Sequence, residues 1–221
     1  MITETPWVGD DPAGQWARLR ADHPRSGRWP VLLTTDEHRP WSTTAPASTP
    51  APDDAATLLA RWWTRYADDP AITAPFGPDW PGPAPTPEAA GDPDTAADGV
   101  AADLLHHYPS LRLGLVPAER SADVPVVAGW TGAAHHTRDT AEVSTVLRDW
   151  EDRFGARVVA LGPGDLVLGV AAPPTTRAEA LAVAAEHFAF CPDNVWQGDA
   201  RLSSYADRLV ADGHRWSFWW E

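Results

Sequence analysis

The stretch from Arg157 to Val170 constrains this chain more than any other. Two rather apolar runs, Arg157 to Leu161 and Leu166 to Val170, flank Gly162-Pro163-Gly164-Asp165. Short β-branched runs joined by turn residues predict a hairpin. The residues around it extend the pattern. Before it, Leu111 to Val116 alternates like a half-buried strand, and Val124 to Trp130 reads as a second strand. Asp139 to Phe154 is the clearest helix: Val143, Val146, Leu147, Trp150 and Phe154 form one stripe, and Gly155 supplies the C-terminal cap. After the hairpin, Thr176-Arg177-Ala178-Glu179 fits a capping box opening a helix to about Phe190. A further helix carries Leu202, Tyr205, Ala206, Leu209 and Val210, and Arg215 to Trp220 closes as a strand. The order β-β-α-β-β-α-α-β predicts an α+β fold, with an antiparallel or mixed sheet and helices packed on one face. A doubly wound parallel sheet does not fit it.

The N-terminal half is less regular. Asp11 to His23 predicts a short helix, and Trp29-Pro30-Val31-Leu32-Leu33-Thr34 a strand with Pro30 at its start or on an edge. Residues 42–52 read as a loop. Asp53 or Asp54 caps a helix to about Tyr66, whose Leu58, Leu59, Trp62, Trp63 and Tyr66 make one wide aromatic face. Residues 67–99 are acidic, proline-rich and without a basic residue, which predicts a linker or long surface loop. Within it, Phe76 and Trp80 argue for some packing. Val100 to Tyr108 predicts another short helix, stopped by Pro109. The expected division is an N-terminal region, 1–110, docked on a compact α+β domain, 111–221, because the aromatic helix needs a large apolar surface to cover it.

Charge limits the partners. All 17 basic residues are arginine, against 31 acids, for a net charge of −14. A field of this sign repels nucleic acid and anionic lipid and steers basic proteins inward. No nucleic-acid or membrane ligand is expected, and no apolar run approaches the ~20 residues of a membrane span. Cys191 is the single cysteine, which rules out an intrachain disulfide and any multi-cysteine metal site. The first residues lack the basic and apolar regions of a signal peptide, so the expected location is cytoplasmic. The sequence carries no signal for an oligomeric state.

Four segments resemble a bacterial family known as the domain of unknown function four-two-five-three. They are Gly129-Trp130-Thr131-Gly132, the run Val146 to Ala156, the run Ala185 to Gly198, and the ending Trp216-Ser217-Phe218-Trp219-Trp220-Glu221. The resemblance covers roughly the C-terminal half. It implies a shared fold and carries over no catalytic residue.

Glu186, His187, Cys191, Asp193 and Asn194 form the densest polar cluster. On a helix ending near Phe190, His187 and Cys191 stand one turn apart, within reach of a His-activated thiolate or of two metal ligands. The plainer reading is preferred: a buried cysteine acting as a small hydrophobe, and a histidine at a helix end. His135 and His136 with Asp139 make a second candidate, although adjacent histidines diverge and Asp139 or Thr137 more simply caps the long helix. His106-His107 at a helix end is assigned no function. No calcium loop, phosphate-cradling glycine loop, nucleophile elbow or zinc-protease motif is present, so no metal and no cofactor are expected.

Three functions follow as expectations. The favoured one is a protein-binding module for a basic protein, of antidote, immunity or adaptor type. The alternative is a hydrolase or transferase using Glu186, His187, Cys191 and Asp193 with help from His135 or His136. The third is a small-molecule binder with a groove lined by Trp130, Trp196 and Trp80.

Overall fold

The computed structural model describes residues 1–34, 41, 53–88 and 91–221; the expected loop over 42–52 lies outside them. In chain order the elements are β1 (Thr3–Thr5), α1 (Pro12–Ala21), α2 (His23–Ser26), β2 (Trp29–Leu33), α3 (Ala55–Tyr66), α4 (Pro70–Thr73), α5 (Pro93–His107) and β3 (Arg112–Val116). A 3-10 turn (Ser121–Asp123) leads into α6 (Val124–Ala128), followed by α7 (Thr140–Phe154), β4 (Arg157–Leu161), β5 (Asp165–Gly169) and α8 (Arg177–Phe190). A π-helical turn (Asn194–Asp199), α9 (Leu202–Ala211) and β6 (Arg215–Trp219) complete the chain. Among the described residues no helix is long and apolar enough to cross a membrane.

The strands form one mixed sheet in the order β1-β3-β2-β4-β5-β6. Every neighbouring pair is antiparallel except β2 with β4. β2 therefore lies between β3 and β4, although it comes from far earlier in the chain. It pairs with β3 along its whole length but with β4 only at Leu32 and Leu33. Pro30 precedes that shared stretch, so on the β4 side its missing N–H interrupts no ladder. There the Trp29 indole Nε1 donates to Val158 O at 2.8 Å and bridges the two strands.

Both faces of the sheet are covered, because its strands alternate between two cores. Trp29, Val31, Leu33, Val158, Leu161, Leu166, Leu168, Trp216 and Phe218 face a thick layer built from α3, α7, α8 and α9. Leu32, Leu113, Val159 and Ala160 face a thinner layer of α1 and α5, which brings Trp16, Val100, Ala101 and Leu104 onto them. The α+β class and the mixed sheet are as expected. The helices, expected on one face, are divided between two.

Local signals explain most boundaries. Asp54, Asp139 and Thr176 cap α3, α7 and α8 through their side chains, and Thr176 with Glu179 completes the capping box. Two expectations are corrected. In place of the strand expected over Val124 to Trp130, Val124–Ala128 is helix α6: Pro125 sits in its first turn, where a proline costs no hydrogen bond, and Gly129 ends it at φ 67°. The helix expected from Val100 begins earlier, at Pro93, because Asp92 accepts from the Thr95 N–H as its N-cap and Pro93 takes the first position.

Candidate functional site

The polar cluster at the end of α8 is built inward. The Glu186 side chain has no solvent exposure. Its carboxylate accepts from the Ala84 N–H (2.6 Å), Trp150 Nε1 (2.6 Å) and Arg153 Nη2 (2.7 Å). Arg153 in turn holds Asp149 and donates to Ala84 O at 3.0 Å. A buried charge needs such complete pairing to be tolerated. Glu186 therefore ties residues 84, 150 and 153 together, with no oxygen left for a substrate.

His187 is enclosed by Trp150, Trp216, Phe218 and Tyr205, with ring centroids 4.4 to 5.7 Å away. Its Nδ1 lies 2.9 Å from the Tyr205 hydroxyl, and its Nε2 is buried without a partner. Burial holds its pKa well below the ordinary histidine range, with Arg208 and Arg153 adding to the effect. Cys191 is also fully buried. Its Sγ donates to Trp219 O at 3.0 Å and approaches Asn194 Oδ1 at 3.6 Å, while burial pushes the thiol pKa up. His187 and Cys191 thus engage different partners, and a thiol in this state is not a nucleophile at neutral pH.

The cluster has a structural task. β6 is an edge strand, and an edge exposes unpaired carbonyls that invite another chain. Asn194 Nδ2 donates to Ser217 O at 2.7 Å, and the Cys191 thiol covers Trp219 O. Asn194 Nδ2 also reaches the Tyr205 hydroxyl at 3.2 Å, which links the cap to His187. Cys191, Asn194, Tyr205 and His187 form one network that closes the outer edge of β6.

Trp130 belongs to the core as well. Its Nε1 donates to Gly162 O at 2.7 Å and its ring meets Trp220 at 5.5 Å. Gly132 makes room for that indole, since a Cβ there would stand 2.2 Å from Trp130 Cζ2. The Gly-Trp-Thr-Gly motif is therefore an anchor for one tryptophan. Trp80 packs on Trp63 at 5.6 Å, Trp63 meets Phe188 at 5.6 Å, and Trp196 packs on Phe188 and Tyr66. No two of Trp80, Trp130 and Trp196 are in direct ring contact; other aromatic rings stand between them.

The exposed part of the site is the π-helical turn. Such turns are uncommon and concentrate at functional positions. This one ends at Ala200, a non-glycine residue held at φ 62°. Trp196 is 41% exposed on it. Beside it, Gln197 Nε2 donates to Glu221 Oε2 (2.8 Å) and to Asp193 Oδ1 (3.4 Å), and the Glu221 N–H donates to Asp193 Oδ2 (3.2 Å). His135 Nδ1 lies 2.7 Å from Glu221 O. Behind Trp196, Tyr66 meets it edge-on at 5.4 Å and places its hydroxyl 2.9 Å from His136 Nδ1.

The structure thus divides the residues singled out in the sequence. Asp193 and His135 both bond Glu221, Trp196 is exposed on the adjoining turn, and His136 lies behind it through Tyr66. Glu186, His187, Cys191, Asn194 and Trp130 lie inside. Tyr66, Tyr205, Gln197 and Glu221 complete the two networks without having been singled out. Only Gln197, one helical turn after Asp193, carried a local signal for its contact.

Elsewhere, a groove of about 550 Å³ runs between α5 and the start of β6, lined by Gly99, Asp103, His107, Tyr108, His214 and Arg215. Arg215 Nη1 donates to Asp103 at 2.9 Å across it. Among the described residues no group of three or more His, Cys, Asp and Glu is arranged to hold a metal ion.

A family model matches residues 112–221, from the first residue of β3 onward. No curated protein and no solved structure matches the chain. Over this C-terminal half, the chain belongs to the family described as a domain of unknown function (DUF4253).

Proposed function

We propose that the chain is a protein-binding module, that its contact face is the π-helical turn around Trp196, and that its partner is basic. One observation carries this reading. A large exposed aromatic ring, Trp196, precedes Gln197, which binds the Asp193 and Glu221 carboxylates, and among the described residues no arginine pairs with either carboxylate. Tryptophan is the residue most enriched among binding anchors, and rim carboxylates steer a basic partner toward it. The net charge of −14 adds long-range attraction of the same sign. An immunity-type protein seated on a basic toxin or enzyme would use such a face, as would a regulatory adaptor.

The test is a pull-down from the native host at low ionic strength with three baits: wild type, Trp196→Ala, and Asp193→Asn with Glu221→Gln. The expected result is a stoichiometric basic partner that salt releases and that the alanine variant binds at least about 30-fold more weakly. No partner at low salt, or a partner held equally by all three baits, would sink the reading.

A further inference from the structure

We propose that His136 is an acid-sensitive latch that holds α3 against the DUF4253 region and releases it before the rest of the fold. The inference does not depend on the partner proposed above.

His136 is buried where three segments meet. From α3, the Trp62 ring lies 4.4 Å away, Tyr66 stacks on the imidazole at 5.6 Å, and Arg65 Nη1 donates to the His136 carbonyl at 3.0 Å. From α8, Phe190 closes the pocket at 6.4 Å. The third segment is the loop before α7, which carries the histidine itself. Its Nδ1 is 2.9 Å from the Tyr66 hydroxyl, while its Nε2 is buried without a partner. In the neutral ring only one nitrogen carries hydrogen. Once protonated, both do, and Nε2–H⁺ then faces no acceptor.

The charges around it do not help. Arg61 and Arg65 of α3 both oppose a second cation. Glu142 of α7 is taken by Arg61 and by the Thr137 hydroxyl at 2.6 Å. His135 turns to Glu221 O, and Asp139 caps α7. Tyr66 offers only its hydroxyl, and α8 presents only the Phe190 ring. Burial, with Arg65 and Arg61 next, accordingly lowers the His136 pKa to about 3.

Opening is local because of how α3 is attached. It packs on α7 and α8 through side chains and takes no part in the sheet. His187 differs: it is covered by Trp216 and Phe218 of β6 and by Tyr205 of α9 rather than by α3. Acid therefore acts on α3 through His136 alone, and on the sheet through both histidines.

The experiment is amide hydrogen exchange, corrected for intrinsic rates, on wild type and His136→Phe. Between about pH 7.5 and about pH 5, protection of α3 is expected to fall about 30-fold, the change in unfolded-state protonation for a histidine of ordinary pKa. In His136→Phe, α3 should lose this response while the β4–β5 hairpin keeps only the part that His187 contributes. Protection of α3 that matches the hairpin at every pH overturns the latch, as does an unchanged response in the Phe variant. Should that variant fail to fold, ¹⁵N-histidine NMR of the wild type decides. The latch requires His136 to stay neutral at about pH 5 wherever α3 is closed, and titration near about 6.5 with α3 closed overturns it.

Discussion

Replacing Glu186 by Gln tests whether this buried carboxylate organises the core. Oε1 accepts from the Ala84 N–H, and Oε2 from Trp150 Nε1 and Arg153. A glutamine amide has one oxygen and one NH2 group, so whichever way it turns, a donor meets a donor. The cheaper orientation keeps the oxygen toward Trp150 and Arg153 and leaves the Ala84 N–H facing NH2. That strands one buried donor, at about 1–3 kcal/mol, and weakens a charge-assisted bond worth about 1.5–3 kcal/mol. Arg153 is only 14% exposed but keeps Asp149, which offsets part of the loss. The expected destabilisation is about 3–4 kcal/mol.

Urea unfolding followed by tryptophan fluorescence and far-UV circular dichroism reads this as a drop in midpoint at unchanged slope. Glu186→Leu combined with Arg153→Met should be no more stable than the Gln variant, since it strands both the Ala84 N–H and Trp150 Nε1. A Gln variant within about 1 kcal/mol of wild type would refute the argument, because the carboxylate would then be exchangeable for a neutral isostere.

Four further outcomes are expected. A chain beginning at residue 111 lacks β2, the strand between β3 and β4, and should show neither cooperative unfolding nor dispersed amide resonances. Cys191, buried with its pKa raised, should resist a thiol reagent at neutral pH and react fully in denaturant. Asn194→Ala strips the donor from Ser217 O, so a loss of about 1–2 kcal/mol together with concentration-dependent association through β6 is expected by denaturation and light scattering. For His187 the folded pKa lies below the unfolded value of about 6.5, so its share of stability is complete above that pH and declines as pH falls beneath it. His187→Phe should flatten this decline in denaturation curves recorded across that range.

Where the sequence was legible, one residue type at one position decided the outcome. Asp54, Asp139 and Thr176 each open a helix that an apolar stripe had already drawn, and the turn at residues 162–165 joins β4 to β5 as its composition demands. The same logic was available for α5 and α6. Asp92-Pro93 is an N-cap followed by a first-position proline, and Pro125 with Gly129 brackets a single helical turn. In the first case the acidic, proline-rich surroundings masked the signal. In the second, Val124, Val126 and Val127 outweighed it, since β-branched residues favour strands until tertiary burial overrides the preference. That α1 and α5 form a second layer over the sheet was not legible from their own segments. Whether a strand is covered on one face or two depends on elements far away in sequence, and only the unbroken apolar run Val158 to Leu161 hinted at the answer.

The polar cluster at the end of α8 left two readings open in the sequence for a related reason. A histidine and a cysteine one helical turn apart have the spacing of a reactive pair, yet spacing says nothing about what lies opposite. Here β6 lies opposite, an edge strand arriving from the end of the chain with Ser217 and Trp219 carbonyls turned outward. Leaving those carbonyls bare beside so many aromatic rings would invite intermolecular pairing. The residue types that suit catalysis, small polar groups on a rigid helix end, are also those that can seal a strand edge. What separates the two uses is solvent access, and Glu186, His187, Cys191 and Asn194 have almost none. The same packing that withdraws them leaves Trp196, Asp193 and Glu221 on the outer surface of the turn. The sealed edge and the proposed binding face are therefore two sides of one π-helical segment: Asn194 fixes it from within, and Trp196 stands exposed on it.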